Sequence, residues 1–270
     1  MLACGKICNP TRVLREIEHF VSSTRVALVE TDAGLGYVKG VGNSEGLKAL
    51  VSELVAAELA VWFGLSVPPF AVIETSEIEI RMKDWPQRMK APLFFSKRVD
   101  GFPRDGSDAI ISRLRRPRDI SKLVVFDTWI RNSDRYSRGK MNNSENLLFV
   151  KLNNKRKYDL TPIDHTHCFF DNIIKDEPGD TVVMDKAVFG DFPEFAPYLN
   201  QAAVEAALAR LSRLDRDFVD EIVGSTPHEW GLGASTARTL ADFICRRAAF
   251  VVETMAEKIV KTPELPGIGT

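Results

Sequence analysis

The 270-residue chain has little cysteine, no excess of either charge and no long apolar run. Its four cysteines (Cys4, Cys8, Cys168 and Cys245) are too few and too scattered for a disulfide framework. Cys4 and Cys8 are not answered by a second pair, which excludes a zinc ribbon. All four are expected to be reduced thiols of a cytoplasmic protein. The 36 Lys+Arg balance 37 Asp+Glu, a net charge of −1, so no bulk attraction to nucleic acid or anionic lipid is expected. No stretch approaches the roughly 18 apolar residues that span a bilayer. The opening MLACGKICNP has no basic segment leading into an apolar one, so a secretory signal is not expected either. There is no internal repeat. What remains, at 44% hydrophobic and 27% charged, is the composition of a globular chain with a real core.

The first ninety residues read as mixed α and β. VALV (26–29), the turn-rich TDAGLG and the return YVK (37–39) predict a hairpin over residues 25–40. A polar, glycine-rich loop GVGNSEG (40–46) precedes a helix over 47–63, in which Leu50, Leu54, Ala57 and Val61 recur at helical spacing and Gly64 is placed to stop it. Short strands are expected over 67–73 and 93–96, then a polar turn over 100–106. The later chain differs. A buried helix is expected over 120–131, strands over 147–152 and 157–163 across an NNKR turn, and helices over 202–211, 215–223 and 234–260, the last with Ser235 or Thr236 as cap. A loose tail carries Pro263 and Pro266. A β-rich first third followed by a helical remainder predicts an α+β protein of two lobes: residues 1–93, a hinge at 94–98, and residues 99–270.

Polar residues concentrate where apolar segments end. WIRNSDR closes the buried helix, ENLLFV opens a strand and TPIDH ends one, so Asp134, Asn146 and Asp164 can be held rigidly on one rim. A carboxylate and an amide oxygen, Asp164 and Asn146, are the hard donors that Mg²⁺ on phosphates requires. A second carboxylate, Asp134, could orient an attacking hydroxyl and accept its proton. Lys39, on a strand before the glycine-rich loop, could act as a point charge on phosphates. Glu53 and Glu58 on the next helix are candidate partners for its ammonium, with Glu53 preferred. Strand Lys, helix Glu, catalytic Asp, then Asn and Asp metal ligands is the part list of a kinase.

GYVKG (36–40), the long block NSEGLKALVSELVAAELAVWFGLSVPPF (43–70), NSDRY (132–136), ENLLF (145–149), TPIDH (161–165), STPHEW (225–230) and RRAAF (246–250) resemble the HipA-like kinase superfamily, above all its short single-chain members. The resemblance implies a two-lobed, protein-kinase-like fold related to the phosphatidylinositol kinases, with ATP between a β-rich N-lobe and a mostly helical C-lobe. It implies Lys39 as the phosphate lysine, Glu53 as its partner, Asp134 as base, and Asn146 and Asp164 as Mg²⁺ ligands. The backbone of the 40–46 loop, with Gly42, Asn43 and Ser44, would hold phosphates, and the hinge, with Phe95 and Ser96, would hold adenine. Ser44 could be autophosphorylated, as a serine near the nucleotide loop is in such kinases. The acceptor it implies is a protein Ser or Thr, for instance on a translation component, and an antitoxin-like partner protein is a further expectation.

One spacing departs from the pattern. The metal Asn ordinarily stands five residues after the catalytic Asp, whereas Asn146 follows Asp134 by twelve. An insertion of seven residues, roughly YSRGKMN, could loop out and help choose the substrate. Asn142 or Asn143 could instead be the ligand, but a strand begins directly after Asn146, as the fold requires. The long spacing also motivates a competing reading, a catalytically degenerate kinase-fold binding module; a small-molecule or lipid kinase is a third. His165, His167 and Cys168 have zinc-ligand chemistry without a fourth ligand at a supporting spacing, so His165 is expected to pack next to Asp164, and Cys168 and Phe169 to enter the core. The basic run SRLRRPRD (112–119) reads first as a solvated segment, and otherwise as a patch for an acidic partner.

Overall fold

The computed structural model describes residues 1–103, 108–137, 141–152, 156–169 and 179–260. Part of the turn expected over 100–106, most of the NNKR turn and the proline-bearing tail lie outside the described residues.

The N-terminal part is an antiparallel sheet with one helix. Strands β1 (Val13–His19), β2 (Ala27–Thr31) and β3 (Gly34–Val41) lead to helix α1 (Leu47–Phe63), and β4 (Phe70–Ile73), β5 (Ile80–Arg81) and β6 (Arg88–Lys97) complete it. The strand order is β1-β2-β3-β6-β4, with β5 also on β6. The expected hairpin is the β2–β3 pair, in register from Ala27 with Val38 to Thr31 with Gly34. Strand β1 was not legible, because VLREIEH is an exposed edge strand with only Val13 buried. Close approach of β3 to β6 needs a residue without a side chain at Gly36, where an added Cβ would stand 2.2 Å from the Phe95 ring. Val29, Val38, Met89 and Phe95 form a small core on that face of the sheet.

Helix α1 is buried on nearly every side, because its Ala and Val residues let the sheet and the C-terminal helices approach closely at once. It ends where expected. Gly64 adopts φ 83, and the N–H groups of Gly64 and Leu65 close back on the carbonyls of Val61 and Ala60 at 3.0 and 2.9 Å.

The remainder holds β7 (Gly101–Pro103), α2 (Asp108–Ile111), α3 (Asp119–Ile130), β8 (Tyr136–Ser137), β9 (Met141–Asn142), β10 (Leu147–Lys151), β11 (Tyr158–Pro162), α4 (Asp180–Val183), α5 (Gln201–Leu211), α6 (Arg216–Gly224), α7 (Ala234–Thr254) and α8 (Ala256–Val260). β10 pairs with β11 and β7 in a small sheet. Helix α3 runs through the core, where Trp129 donates its indole N–H to the Ile244 carbonyl at 2.9 Å. The single helix expected over 234–260 is two. The Thr254 hydroxyl donates to the Phe250 carbonyl one turn back at 2.7 Å, a bond that competes with the helical ladder, and Met255 separates α7 from α8. No side chain caps α7, so neither Ser235 nor Thr236 plays that part. No helix among the described residues is long and apolar enough to cross a membrane.

All four cysteines are free. Burial first, and then the nearby Glu58 carboxylate, push the Cys4 thiol up to about 11, and burial raises those of Cys168 and Cys245. Since the thiolate is the reacting form, Cys4, Cys168 and Cys245 should react slowly with iodoacetamide at pH 7.5. Labelling of Cys4 should accelerate as pH rises toward 11. Mass spectrometry of native against urea-unfolded protein would show it, and rapid native alkylation of these three would contradict the fold.

Candidate active site

Alternation along β3 sends Val38 into the small core and Tyr37 and Lys39 to the other face, onto a cleft of about 310 Å³ between the sheet and the C-terminal part. Val26, Ala57, Phe70, Phe94 and Leu148 make most of the wall apolar; Lys39, Glu53 and Asp164 close one end. The size and lining fit a flat, partly apolar ligand held at a charged end.

That end is a buried ion cluster. The Lys39 ammonium donates to Glu53 Oε1, to Asp164 Oδ1 at 2.8 Å and to the Thr166 hydroxyl at 3.0 Å. Thr166 Oγ1 in turn donates to Glu53 Oε1 at 3.0 Å, and the His165 N–H reaches Glu53 Oε2 at 3.2 Å. Burial alone would push the ammonium's pKa down, but the Asp164 and Glu53 carboxylates outweigh it and raise the pKa above the ordinary lysine value. Burial opposes ionisation of Asp164 as well, yet the Lys39 charge holds its carboxyl well below the usual range. Glu53 moves the other way, raised by burial and by the neighbouring Asp164. Asp164 adopts φ 54, a left-handed conformation that costs a non-glycine residue about 1–3 kcal/mol and is characteristic of functional sites. Of the two acids that sequence offered to Lys39, Glu58 faces away: it accepts the backbone N–H groups of Ala3 and Cys4 at 2.7 Å each.

A second cluster lies beside the first. Asp134 follows the end of α3, and its carboxylate accepts the side-chain amide of Asn146 at 2.8 Å and that of Asn143 at 3.0 Å. The twelve-residue spacing is therefore taken up without separating Asp134 from Asn146. Within the insertion, β8 and β9 pair antiparallel, and the side chain of Asn142 lies outside the described residues. The two clusters are joined by Arg135, which sequence reasoning missed. Its guanidinium is fully buried. It pairs with Asp127 at 2.8 Å and donates to the carbonyls of Asn146 and Ile163, the latter at 3.1 Å. The Ile163 N–H also bonds the Asn146 carbonyl at 3.1 Å. A lone carboxylate in the otherwise apolar stretch VVFDTWI was the available signal, since a buried charge needs a partner.

The residues assigned to the nucleotide are distributed differently. Phe94, Ser96 and Lys97 line the cleft, and Phe95, alternate to them, turns its ring into the small core over Gly36. Gly42, Asn43 and Ser44 are not among the lining residues. Asn43 ties its own loop together through the carbonyls of Gly40 and Gly46 and the N–H of Glu45. The Gly42 carbonyl accepts the Trp85 indole N–H at 3.1 Å, and the Ser44 hydroxyl donates to the Ser23 carbonyl. The connection between β1 and β2, residues 20–26, does reach the cleft. It ends in the cleft-lining Val26, and it contains Ser22, Ser23 and Thr24 but no glycine.

His165 packs edge-on against Phe126 at 6.0 Å, and Cys168 is buried. Among the described residues no group of three or more His, Cys, Asp or Glu could hold a metal. In the basic run, Arg115 forks onto Asp159 at 2.7 and 2.8 Å, and Arg116 pairs with Asp119 at 2.8 Å.

Removing one member of a buried ion pair leaves the other uncompensated, at a cost of about 3–5 kcal/mol, whereas replacing both with apolar groups is often neutral. Arg135→Met should therefore lower urea stability strongly, and Arg135→Met with Asp127→Leu should recover much of the loss. Equal stability of the single and double variants would contradict the pairing.

Comparison with curated proteins gives no match. Among solved structures, a Helicobacter pylori proinflammatory kinase, CtkA, superposes with a TM-score of 0.57 at 15% identity, over 96% of this chain and 98% of that one. The Mycobacterium tuberculosis PknI kinase domain (14% identity, 92% of this chain and 99% of that one) and the Leishmania major MAP kinase LmaMPK10 (14%, 93% and 82%) reach TM-scores of only 0.29 and 0.27, too low to carry an argument. The family model for HipA-like kinases matches residues 12–258. With a kinase fold around a lysine, two glutamate- and aspartate-bearing elements and an Asp–Asn pair, and with that match over nearly its whole length, the chain belongs to the HipA-like kinase family and is a kinase.

Proposed function

We propose that the protein transfers the γ-phosphoryl group of Mg-ATP to a serine or threonine hydroxyl of a protein. The observation that carries this reading is the Lys39–Glu53–Asp164 cluster at the end of an apolar cleft, coupled through Arg135 to Asp134 and Asn146. The donor chemistry fits the metal. Asn146 commits its amide N–H to Asp134 and keeps its Oδ1, and Asp164 is held ionised, so an amide oxygen and a carboxylate remain for a hard cation. Bound Mg²⁺ would neutralise charge developing on the phosphate oxygens.

The chain's own residues do the rest. Lys39, kept charged and in place by Glu53, binds phosphate oxygens. The apolar walls around Ala57, Phe70 and Leu148 exclude water and receive the base, with Ser96 of β6 also on the wall. Asp134 orients the acceptor O–H; as its oxygen bonds to phosphorus and the bond to the ADP oxygen breaks, the proton passes to the Asp134 carboxylate. Alignment and charge neutralisation do most of the work in such transfers. The spacing that motivated a degenerate module loses its force, because Asn146 reaches Asp134 despite the insertion.

Asp134→Asn should cut phosphotransfer by about 10²–10⁴-fold while ATP with Mg²⁺ still raises the melting temperature. Asp164→Ala should abolish that Mg²⁺-dependent stabilisation, which at ATP a hundredfold above Kd amounts to about 2.7 kcal/mol. Incorporation of label from γ-labelled ATP, together with melting curves, reads both. Near-normal transfer by Asp134→Asn would overturn the reading.

A further inference from the structure

The hairpin that lengthens the Asp134–Asn146 spacing ends beside Asp134, with an amide on its carboxylate. We propose that Asn143 is a positioning residue for Asp134, delivered by this insertion; the inference rests on the phosphotransfer reading and adds to it.

The described base of the hairpin is tied down on several sides. Tyr136 pairs with Asn142 and Ser137 with Met141. At its base the Asn143 N–H donates to the Arg135 carbonyl at 2.9 Å, and the Asn143 carbonyl accepts the Asn146 N–H at 3.1 Å. The Tyr136 ring packs on Phe192 with centroids 4.8 Å apart, and its carbonyl accepts the Gly190 N–H at 3.0 Å. Asn143 is thus held on both sides by backbone bonds next to the residue it serves.

The two amides divide the carboxylate between them: Asn146 takes Oδ2 and Asn143 takes Oδ1. An aspartate's terminal torsion is broad, so a single amide leaves the carboxylate plane free to swing about one oxygen. Donors on both oxygens fix the plane, while each oxygen retains a lone pair for the acceptor hydroxyl. A five-residue spacing leaves no room for the β8–β9 hairpin that carries Asn143 here. The insertion therefore adds a second hold on the catalytic carboxylate, and Asn143 reaches neither Lys39 nor Asp164 through any hydrogen bond among the described residues.

The test compares the unaltered 270-residue chain with Asn143→Ala, Asn143→Asp, Asp134→Asn and the Asp134→Asn/Asn143→Ala double variant, using γ-labelled ATP and heat-denatured cell extract as acceptor. The expected result is a fall in rate at saturating ATP of about 10- to 100-fold in Asn143→Ala, with KM for ATP and the melting temperature unchanged. Asn143→Asp, which sets a carboxylate against Asp134, should fall at least as far. In the Asp134→Asn background, Asn143→Ala should remove nothing more. A wild-type rate in Asn143→Ala would overturn the proposal. So would a rise in KM for ATP, an equal loss in the Asp134→Asn background, or a fall in melting temperature that accounts for the lost rate in both Asn143 variants. Full activity in Asp134→Asn would overturn the phosphotransfer reading instead.

Discussion

A single ammonium group ties the two parts of this molecule together. Lys39 belongs to the N-terminal sheet, Glu53 to the helix behind it, and Asp164 to the turn that follows β11. With their mutual attraction in a poorly solvated place, these groups hold sheet, helix and C-terminal part in one arrangement. The cost of burying Lys39 and Glu53 beside the partly exposed Asp164 is met only because each has partners: Thr166 and the His165 N–H complete the Glu53 carboxylate.

Arg135 performs the same service within the C-terminal part. A guanidinium offers several donors in a fixed plane, so one side chain can bind the Asp127 carboxylate and two carbonyls from different segments. The carbonyls are those of Asn146 and Ile163, the residue before Asp164. Placement of the Asp–Asn pair and placement of Asp164 are thus consequences of one buried side chain, itself held by the end of α3. Gly190 lies against Asp127 so closely that an added Cβ would stand 2.5 Å from its carboxylate, which shows how tightly that anchor is packed.

Much of the architecture was legible in the sequence. Helix α1 begins and ends where the periodicity and Gly64 place it, and the β2–β3 hairpin and strands β10 and β11 follow from short apolar runs between turn residues. Lys39, Glu53, Asp134, Asn146 and Asp164 were legible as an ordered series, and the structure gathers them into two linked clusters. Strand β1 was not legible, since an exposed edge strand has no buried face to impose alternation. The break at Met255 was hidden because the apolar stripe runs on through it, with Val251, Met255 and Ile259 all buried.

The sequence by itself determined which elements form and which chemical groups are at hand, because periodicity, turn residues and residue types are local properties. Only the tertiary structure decided which groups face one another. It turned Phe95 away from the cleft while keeping Phe94 and Ser96 on it, put Val26 but none of Gly42, Asn43 and Ser44 on the cleft wall, and brought Asn143 onto Asp134. Each of these depends on strand register or on packing between segments far apart in the chain, and such contacts leave no periodic trace in the sequence that makes them.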